Sequence, residues 1–205
     1  MPESAIIWKG EPMTPPRIFC IGKNYADHVK EMGDQKIDEL VVFMKPTQSI
    51  TDILRAEDGE ALHYEGEITF LLENGKPVGV GFGLDLTKRK MQGALKKKGL
   101  PWERSKAFRG SALFSDFTTL EDPLETLEII LEEDGQVIQH GRLPEMIHSP
   151  EDILKGLSAF QNLEDGDLVM TGTPAGVGQL KAGQKYLGRV LSKGRELVSK
   201  QWHCI

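Results

Sequence analysis

Apolar and polar positions alternate with a period of two along much of this chain, and its short apolar runs end at glycine or proline. That pattern predicts strands more often than helices. Residues 17–22 (Arg-Ile-Phe-Cys-Ile-Gly) form one such run, and 41–45 (Val-Val-Phe-Met-Lys) form a second, broken by Pro46. Residues 63–72 read as a strand with Ile68, Phe70 and Leu72 on one face, followed by the turn signal Asn74-Gly75. Over 78–84, Val80, Phe82 and Leu84 interleave with Gly79, Gly81 and Gly83, giving one apolar face and one that another group can approach closely. Asp134-Gly135 separates 124–132 from 136–139, and Lys193-Gly194 separates 186–191 from 196–199, as two hairpins. Residues 169–172 form a strand that leads into the glycine-rich segment 173–178.

Three stretches carry helical signals. Residues 24–32 have Asn24 or Asp27 as a candidate cap and Gly33 as a stop. A second helix starts at a Thr87 cap and runs to about residue 98. There Lys96-Lys97-Lys98, Gly99 and Pro101 make a helix end, with cations near the negative end of the dipole. The third starts at Ser149-Pro150 with acids in its first turn and runs to about residue 162. The expected fold is α+β, mostly β, in one domain over 1–205, with 1–16 as a lead-in and no internal repeat or linker.

Composition narrows the partners. The 205 residues are 39% hydrophobic and 27% charged, as in ordinary globular proteins, which disfavours disorder. With 25 basic against 31 acidic side chains the net charge is −6, so neither nucleic acid nor an anionic membrane is expected as a partner. The two cysteines, Cys20 and Cys204, have neither metal-site nor redox spacing. With no membrane-length apolar run and no secretion signal at the N-terminus, the expectation is a cytoplasmic protein.

Five constellations bear chemistry. Glu65 and Glu67, two apart on a strand, project to the same face, and Asp85 ends the glycine-rich strand. A solvated strand face is the commoner setting for Glu-x-Glu, but three carboxylates among apolar segments are the hard-oxygen set that holds Mg²⁺ or Mn²⁺. Arg89 and Gln92 share a helical face near Asp85, where a guanidinium can grip a substrate carboxylate; a surface ion pair is the competing reading. His28 and Glu31, also three apart, can form a general-base dyad or an ordinary surface pair, and 24–39 has the makings of a mobile lid. Lys106 can meet an anionic substrate or lie in solvent. The segment around Thr173 offers a hydroxyl and backbone amides as an anion cradle. Of the other histidines, His63 is either an outer partner of the metal or a plain strand residue, and His140, His148 and His203 are read as surface residues.

These motifs fall in one order: Gly22-Lys-Asn-Tyr-Ala-Asp-His28-Val-Lys-Glu31, Phe43-Met-Lys45-Pro, His63-Tyr-Glu65-Gly-Glu67, Asp85-Leu-Thr-Lys-Arg89-Lys-Met-Gln92, Lys98-Gly-Leu-Pro-Trp102 with Lys106-Ala-Phe, and Thr171-Gly-Thr173-Pro-Ala-Gly-Val-Gly178. In that order, from about residue 17 to the end, the chain resembles the fumarylacetoacetate hydrolase superfamily, in its short acylpyruvase and oxaloacetate-decarboxylase-like branch. It departs from that pattern at Tyr64, Gly66 and Arg109 and in shorter segments at 51–60 and 72–80. The resemblance implies a mixed β-roll, a homodimer, and Mg²⁺ or Mn²⁺ on Glu65, Glu67 and Asp85. It implies that Arg89, Gln92, Lys106 and Thr173 contact a small 2-oxo acid, and that His28 and Glu31 on a lid helix activate water. The expected activity is hydrolysis of a C–C bond in an acylpyruvate, through an enolate. Oxaloacetate decarboxylation and isomerisation of 2-hydroxyhepta-2,4-diene-1,7-dioate would need the same site, and a non-catalytic metabolite-binding module is the alternative from another class.

Overall fold

A computed structural model of the chain describes residues 4–33 and 38–205. The candidate lid 24–39 therefore falls partly outside the described residues, at 34–37. Alternation dictates the architecture: strands with one apolar face pair into a curled, mostly antiparallel sheet that a second sheet covers. The order in the main sheet is Thr118–Thr119, Lys76–Asp85, Gly66–Glu73, Leu168–Met170, Ile18–Gly22 and Val41–Lys45, and Ala112–Phe114 also pairs with Lys76–Asp85. Leu168–Met170 and Ile18–Gly22 pair in parallel. Both predicted hairpins lie in the second sheet, ordered Gln136–Arg142, Leu127–Glu133, Lys185–Ser192 and Arg195–His203. Ile68, Phe70 and Leu72 point into the core between the sheets, with Phe82, Leu84, Ile129, Leu131 and Val190. A second apolar cluster on the other side of the main sheet holds Ile18, Cys20, Leu71, Phe114, Phe117 and Met170.

The glycine face of Lys76–Asp85 is closely approached, by the protein's own rings. A Cβ at Gly79 would lie 2.8 Å from Trp8, and one at Gly81 would lie 3.0 Å from Phe117. Trp8 comes from a two-stranded ribbon, Ile6–Trp8 with Glu11–Met13, within the segment expected to be only a lead-in.

Several local expectations need correction. The described residues hold four α-helices rather than three, because Glu103–Lys106 is a helical turn. The predicted strand at 63–72 is two strands, Leu62–Tyr64 and Gly66–Glu73, which break at Glu65 and pair with different partners. The helix Ala26–Glu31 has Tyr25 at its N-terminal boundary and no side-chain cap. Asn24 instead donates to the carbonyls of Thr171 (2.8 Å) and His148 (3.1 Å) and accepts from the His148 N–H (2.7 Å), fixing the helix entry to a strand end. Thr87 does not cap the helix Arg89–Lys97, since it lies in the short strand Thr87–Lys88. The last helix is Pro150–Ser158, capped by Ser149 as expected but ending four residues early. No helix among the described residues is long and apolar enough to cross a membrane.

Candidate metal centre

Antiparallel pairing brings the three acids together. Gly66–Glu73 pairs with Lys76–Asp85 in a register that sets Glu67 opposite Gly83, and the Asp85 N–H donates to the Glu65 carbonyl at 2.8 Å. One carboxylate oxygen from each of Glu65, Glu67 and Asp85 lies within 4.8 Å of the others, and all three residues are buried. Gly66 leaves room behind the pair: a Cβ there would come within 3.1 Å of both Gln139 and Phe82.

Buried carboxylates need cations, and the chain supplies three. The Lys106 ammonium donates to Glu65 Oε2 (2.6 Å), Asp85 Oδ2 (2.6 Å) and Thr87 Oγ1 (2.7 Å). Arg89 pairs with Glu65 Oε1 and donates to Gln92 Oε1 at 2.8 Å. Lys45, which is 1% exposed, lies 2.8 Å from Asp85 Oδ1 and donates to the backbone carbonyl of Lys106. Lys106 is thus no surface lysine: it is 2% exposed, and its helical turn tips it into the site.

Glu67 is the exception. It accepts from the Gly172 N–H at 2.8 Å, and no cationic side chain among the described residues lies within ion-pairing distance of it. Burial, then the charges of Asp85 and Glu65, push its carboxyl well above the usual carboxylate range. Burial would raise Glu65 as well, but Lys106 and Arg89 outweigh it and hold that group well below the usual range. For Lys106, burial opposes the charged form, and Asp85 and Glu65 more than offset it, so its pKa lies above the ordinary lysine value. Three converging hard-oxygen donors, one lacking a counter-charge, fit Mg²⁺ or Mn²⁺ better than Zn²⁺.

The remaining candidates line the same pocket: His28, Arg89, Gln92, Lys106 and Thr173 surround the acids, with Phe43, Trp102 and Met32 as apolar wall. His28 Nδ1 lies 3.5 Å from Glu31 Oε2 and has no hydrogen-bond partner, and burial lowers the imidazole pKa from its ordinary 6.5. The Glu31 carboxylate accepts from the Gly176 N–H (3.1 and 3.2 Å), so the helix end rests on the glycine-rich segment. Only glycine fits at 176, where φ is +96° and a Cβ would lie 2.1 Å from the Ile138 carbonyl.

Two residues with no role in the sequence reading support the site. Lys45 was legible as a lysine inside an apolar strand, a position lysine rarely takes without a buried partner. Gln139 left no such signal. Buried on the second sheet, it accepts from the Gly66 N–H (2.9 Å) and donates to Thr173 Oγ1 (2.8 Å) and the Pro174 carbonyl (3.0 Å), tying the glutamate strand to the Thr173 segment. Gln139→Leu leaves the Gly66 N–H without its side-chain acceptor and leaves Thr173 Oγ1 and the Pro174 carbonyl only their long 3.5 Å bond to each other, and urea unfolding should show a loss of about 1–3 kcal/mol.

The family described as fumarylacetoacetate (FAA) hydrolase C-terminal matches residues 17–199. The chain is 36% identical over 199 residues to oxaloacetate tautomerase YcgM of Escherichia coli, covering 87% of this chain and 90% of that protein. Among solved structures it is similar to a candidate fumarylacetoacetate isomerase/hydrolase from Oleispira antarctica (TM-score 0.92, 31% identity, 98% and 99% of the two chains). It is also similar to fumarylpyruvate hydrolase from Pseudomonas aeruginosa in complex with Mn²⁺ and pyruvate (TM-score 0.85, 29% identity, 100% and 98% of the two chains).

Proposed function

Because this chain belongs to the fumarylacetoacetate hydrolase family, we propose that it is a divalent-metal enzyme that interconverts the keto and enol forms of an oxaloacetate-like 2-oxo acid. The observation that carries this reading is the convergence of Glu65, Glu67 and Asp85 within 4.8 Å, beside Lys106 and Arg89 in a pocket that His28 also lines. The tautomerase name of a 36%-identical relative supports it over the C–C hydrolysis expected from the sequence.

Glu65, Glu67 and Asp85 would hold Mg²⁺ or Mn²⁺, which supplies a Lewis acid for the 2-keto oxygen. Arg89, positioned by Gln92, grips the carboxylate next to the keto group, and Thr173 closes the other side. Neutral His28 has its Nδ1 toward Glu31, which leaves the Nε2 lone pair to accept the C3 proton. As that proton leaves, negative charge moves to the keto oxygen, where the Lys106 ammonium opposes it. Returning the proton to oxygen gives the enol, with no atom gained or lost.

His28→Asn should lower kcat for this interconversion by about 10²–10⁴-fold. The pH profile gives a second check, because burial, helped by Arg89, opposes the imidazolium more than Glu65 and Glu31 favour it. The net shift is downward, so at saturating metal, where Glu67 protonation is suppressed, the wild-type rate should hold at neutral pH and fall on the acid side, and His28→Asn should lose that limb.

A second reading, hydrolysis of an acylpyruvate, is favoured by the His28–Glu31 pair, since the same base could activate water. Side-by-side assays of enol-oxaloacetate ketonisation and pyruvate release from acetylpyruvate, each with Mg²⁺ and Mn²⁺, separate the two. Metal-dependent turnover of acetylpyruvate alone would reverse the preference.

A further inference from the structure

The Gln139 amide has one orientation that satisfies its neighbours, and that orientation decides which way a hydroxyl in the pocket points. The Gly66 N–H can only donate and the Pro174 carbonyl can only accept. Gln139 meets the first with Oε1 (2.9 Å) and the second with Nε2 (3.0 Å); a flipped amide would set donor against donor and acceptor against acceptor. Its other N–H therefore points at Thr173 Oγ1, 2.8 Å away, and the hydroxyl oxygen has to accept it. None of this is open to solvent, since Gln139 is 2% and Thr173 3% exposed.

The Thr173 hydroxyl hydrogen then has two directions. One leads to the Pro174 carbonyl, which is 3.5 Å away and already accepts from Gln139. The other leads into the pocket that Thr173 lines with Glu67, Arg89 and Lys106. The backbone around it is pinned: the Thr171 hydroxyl donates to the Ile68 carbonyl (2.8 Å), the Gly172 N–H donates to Glu67 (2.8 Å), and a Cβ at Gly141 would lie 2.7 Å from Pro174. A hydroxyl that accepts on one side is also a stronger donor on the other.

We infer that Gln139, reaching in from the second sheet, is a positioning residue for substrate: it fixes the Thr173 O–H as a donor into the pocket. The group facing Thr173 is then a hydrogen-bond acceptor, such as a carboxylate oxygen, and never a donor. This role rests on the 2-oxo acid site proposed above, where Arg89 holds one side of the substrate carboxylate and Thr173 the other.

Calorimetry with pyruvate at saturating Mg²⁺ tests it. Thr173→Val should weaken pyruvate binding about tenfold, the scale of one charge-assisted hydrogen bond. Gln139→Met, which fills similar space, should weaken it about threefold or more, because the released hydroxyl turns to the Pro174 carbonyl. The two losses should not add. Gln139→Met should cost nothing further in the Thr173→Val protein, yet keep its full effect in Thr173→Ser, where the hydroxyl remains. Additive losses, or a Gln139→Met protein that binds pyruvate as the wild type does, overturn the positioning role. Should Gln139→Met fail to fold, NMR of the isotope-labelled Gln139 side-chain amide replaces it. Saturating pyruvate should shift those resonances in the wild type and in Thr173→Ser but not in Thr173→Val; no shift in the wild type, or an equal one in Thr173→Val, overturns the role. If pyruvate binds and the losses add, this inference alone falls; if the wild-type protein with Mg²⁺ binds no pyruvate, the 2-oxo acid reading falls and takes the inference with it.

Discussion

Glu67→Gln should abolish turnover and divalent-metal binding while leaving the metal-free protein at least as stable as the wild type. Among the described residues Glu67 is the one carboxylate of the trio without a cationic partner, and burial and its like-charged neighbours already disfavour its ionised form. Glutamine keeps an oxygen to accept from the Gly172 N–H, now held at 2.8 Å, and removes a repelling charge, so no buried group loses its partner. What is lost is a hard anionic ligand. The fall in metal affinity should exceed the about 10–100-fold typical of losing an outer hydrogen-bond partner of a ligand. Titration with Mn²⁺ and a thermal melt in chelator measure both halves, and unchanged Mn²⁺ affinity would remove Glu67 from the metal centre.

Asp85→Asn should behave in the opposite way in the melt. Asp85 faces two buried ammonium groups, Lys45 at 2.8 Å and Lys106 at 2.6 Å, so neutralising it strips Lys45 of its carboxylate and leaves Lys106 with Glu65 alone. Breaking a buried pair from one side typically costs about 3–5 kcal/mol. In a chain of this length that corresponds to a fall in Tm of about 6–20 °C. Metal binding is lost here too, so Glu67→Gln and Asp85→Asn match in activity and diverge in stability. Equal melting temperatures for the two would mean that the lysines do not depend on Asp85.

This asymmetry among the acids marks what sequence could and could not convey. Period-two spacing put Glu65 and Glu67 near each other, although Glu65 falls in the break between two strands, and the end of a glycine-rich strand placed Asp85 near them. Arg89 and Gln92 followed from helical spacing in the same way. Local spacing does not reveal which charge answers which. Lys106 lies in a four-residue turn with no periodic signal, and its role follows from a burial that only tertiary packing creates. Gln139 is 73 residues from Gly66 and meets it only because the two sheets pack face to face. Thr87 and Asn24 read as helix caps by residue type, yet both are used by tertiary partners: Thr87 accepts from Lys106, and Asn24 holds a strand end. Lys96 read as a dipole partner, yet it lines the pocket with its ammonium 4.9 Å from the centre of the Trp102 ring, a contact that only tertiary packing creates.

The most direct test follows enol-oxaloacetate to its keto form by the loss of enol absorbance, with chelator-stripped protein before and after adding Mg²⁺ or Mn²⁺. The stripped protein should leave the solution rate unchanged, the metal-loaded protein should accelerate it severalfold or more, and Glu67→Gln should stay at the solution rate under both conditions. Acceleration that is equal with and without the divalent ion, or that survives Glu67→Gln, would contradict a reaction built on the three buried carboxylates.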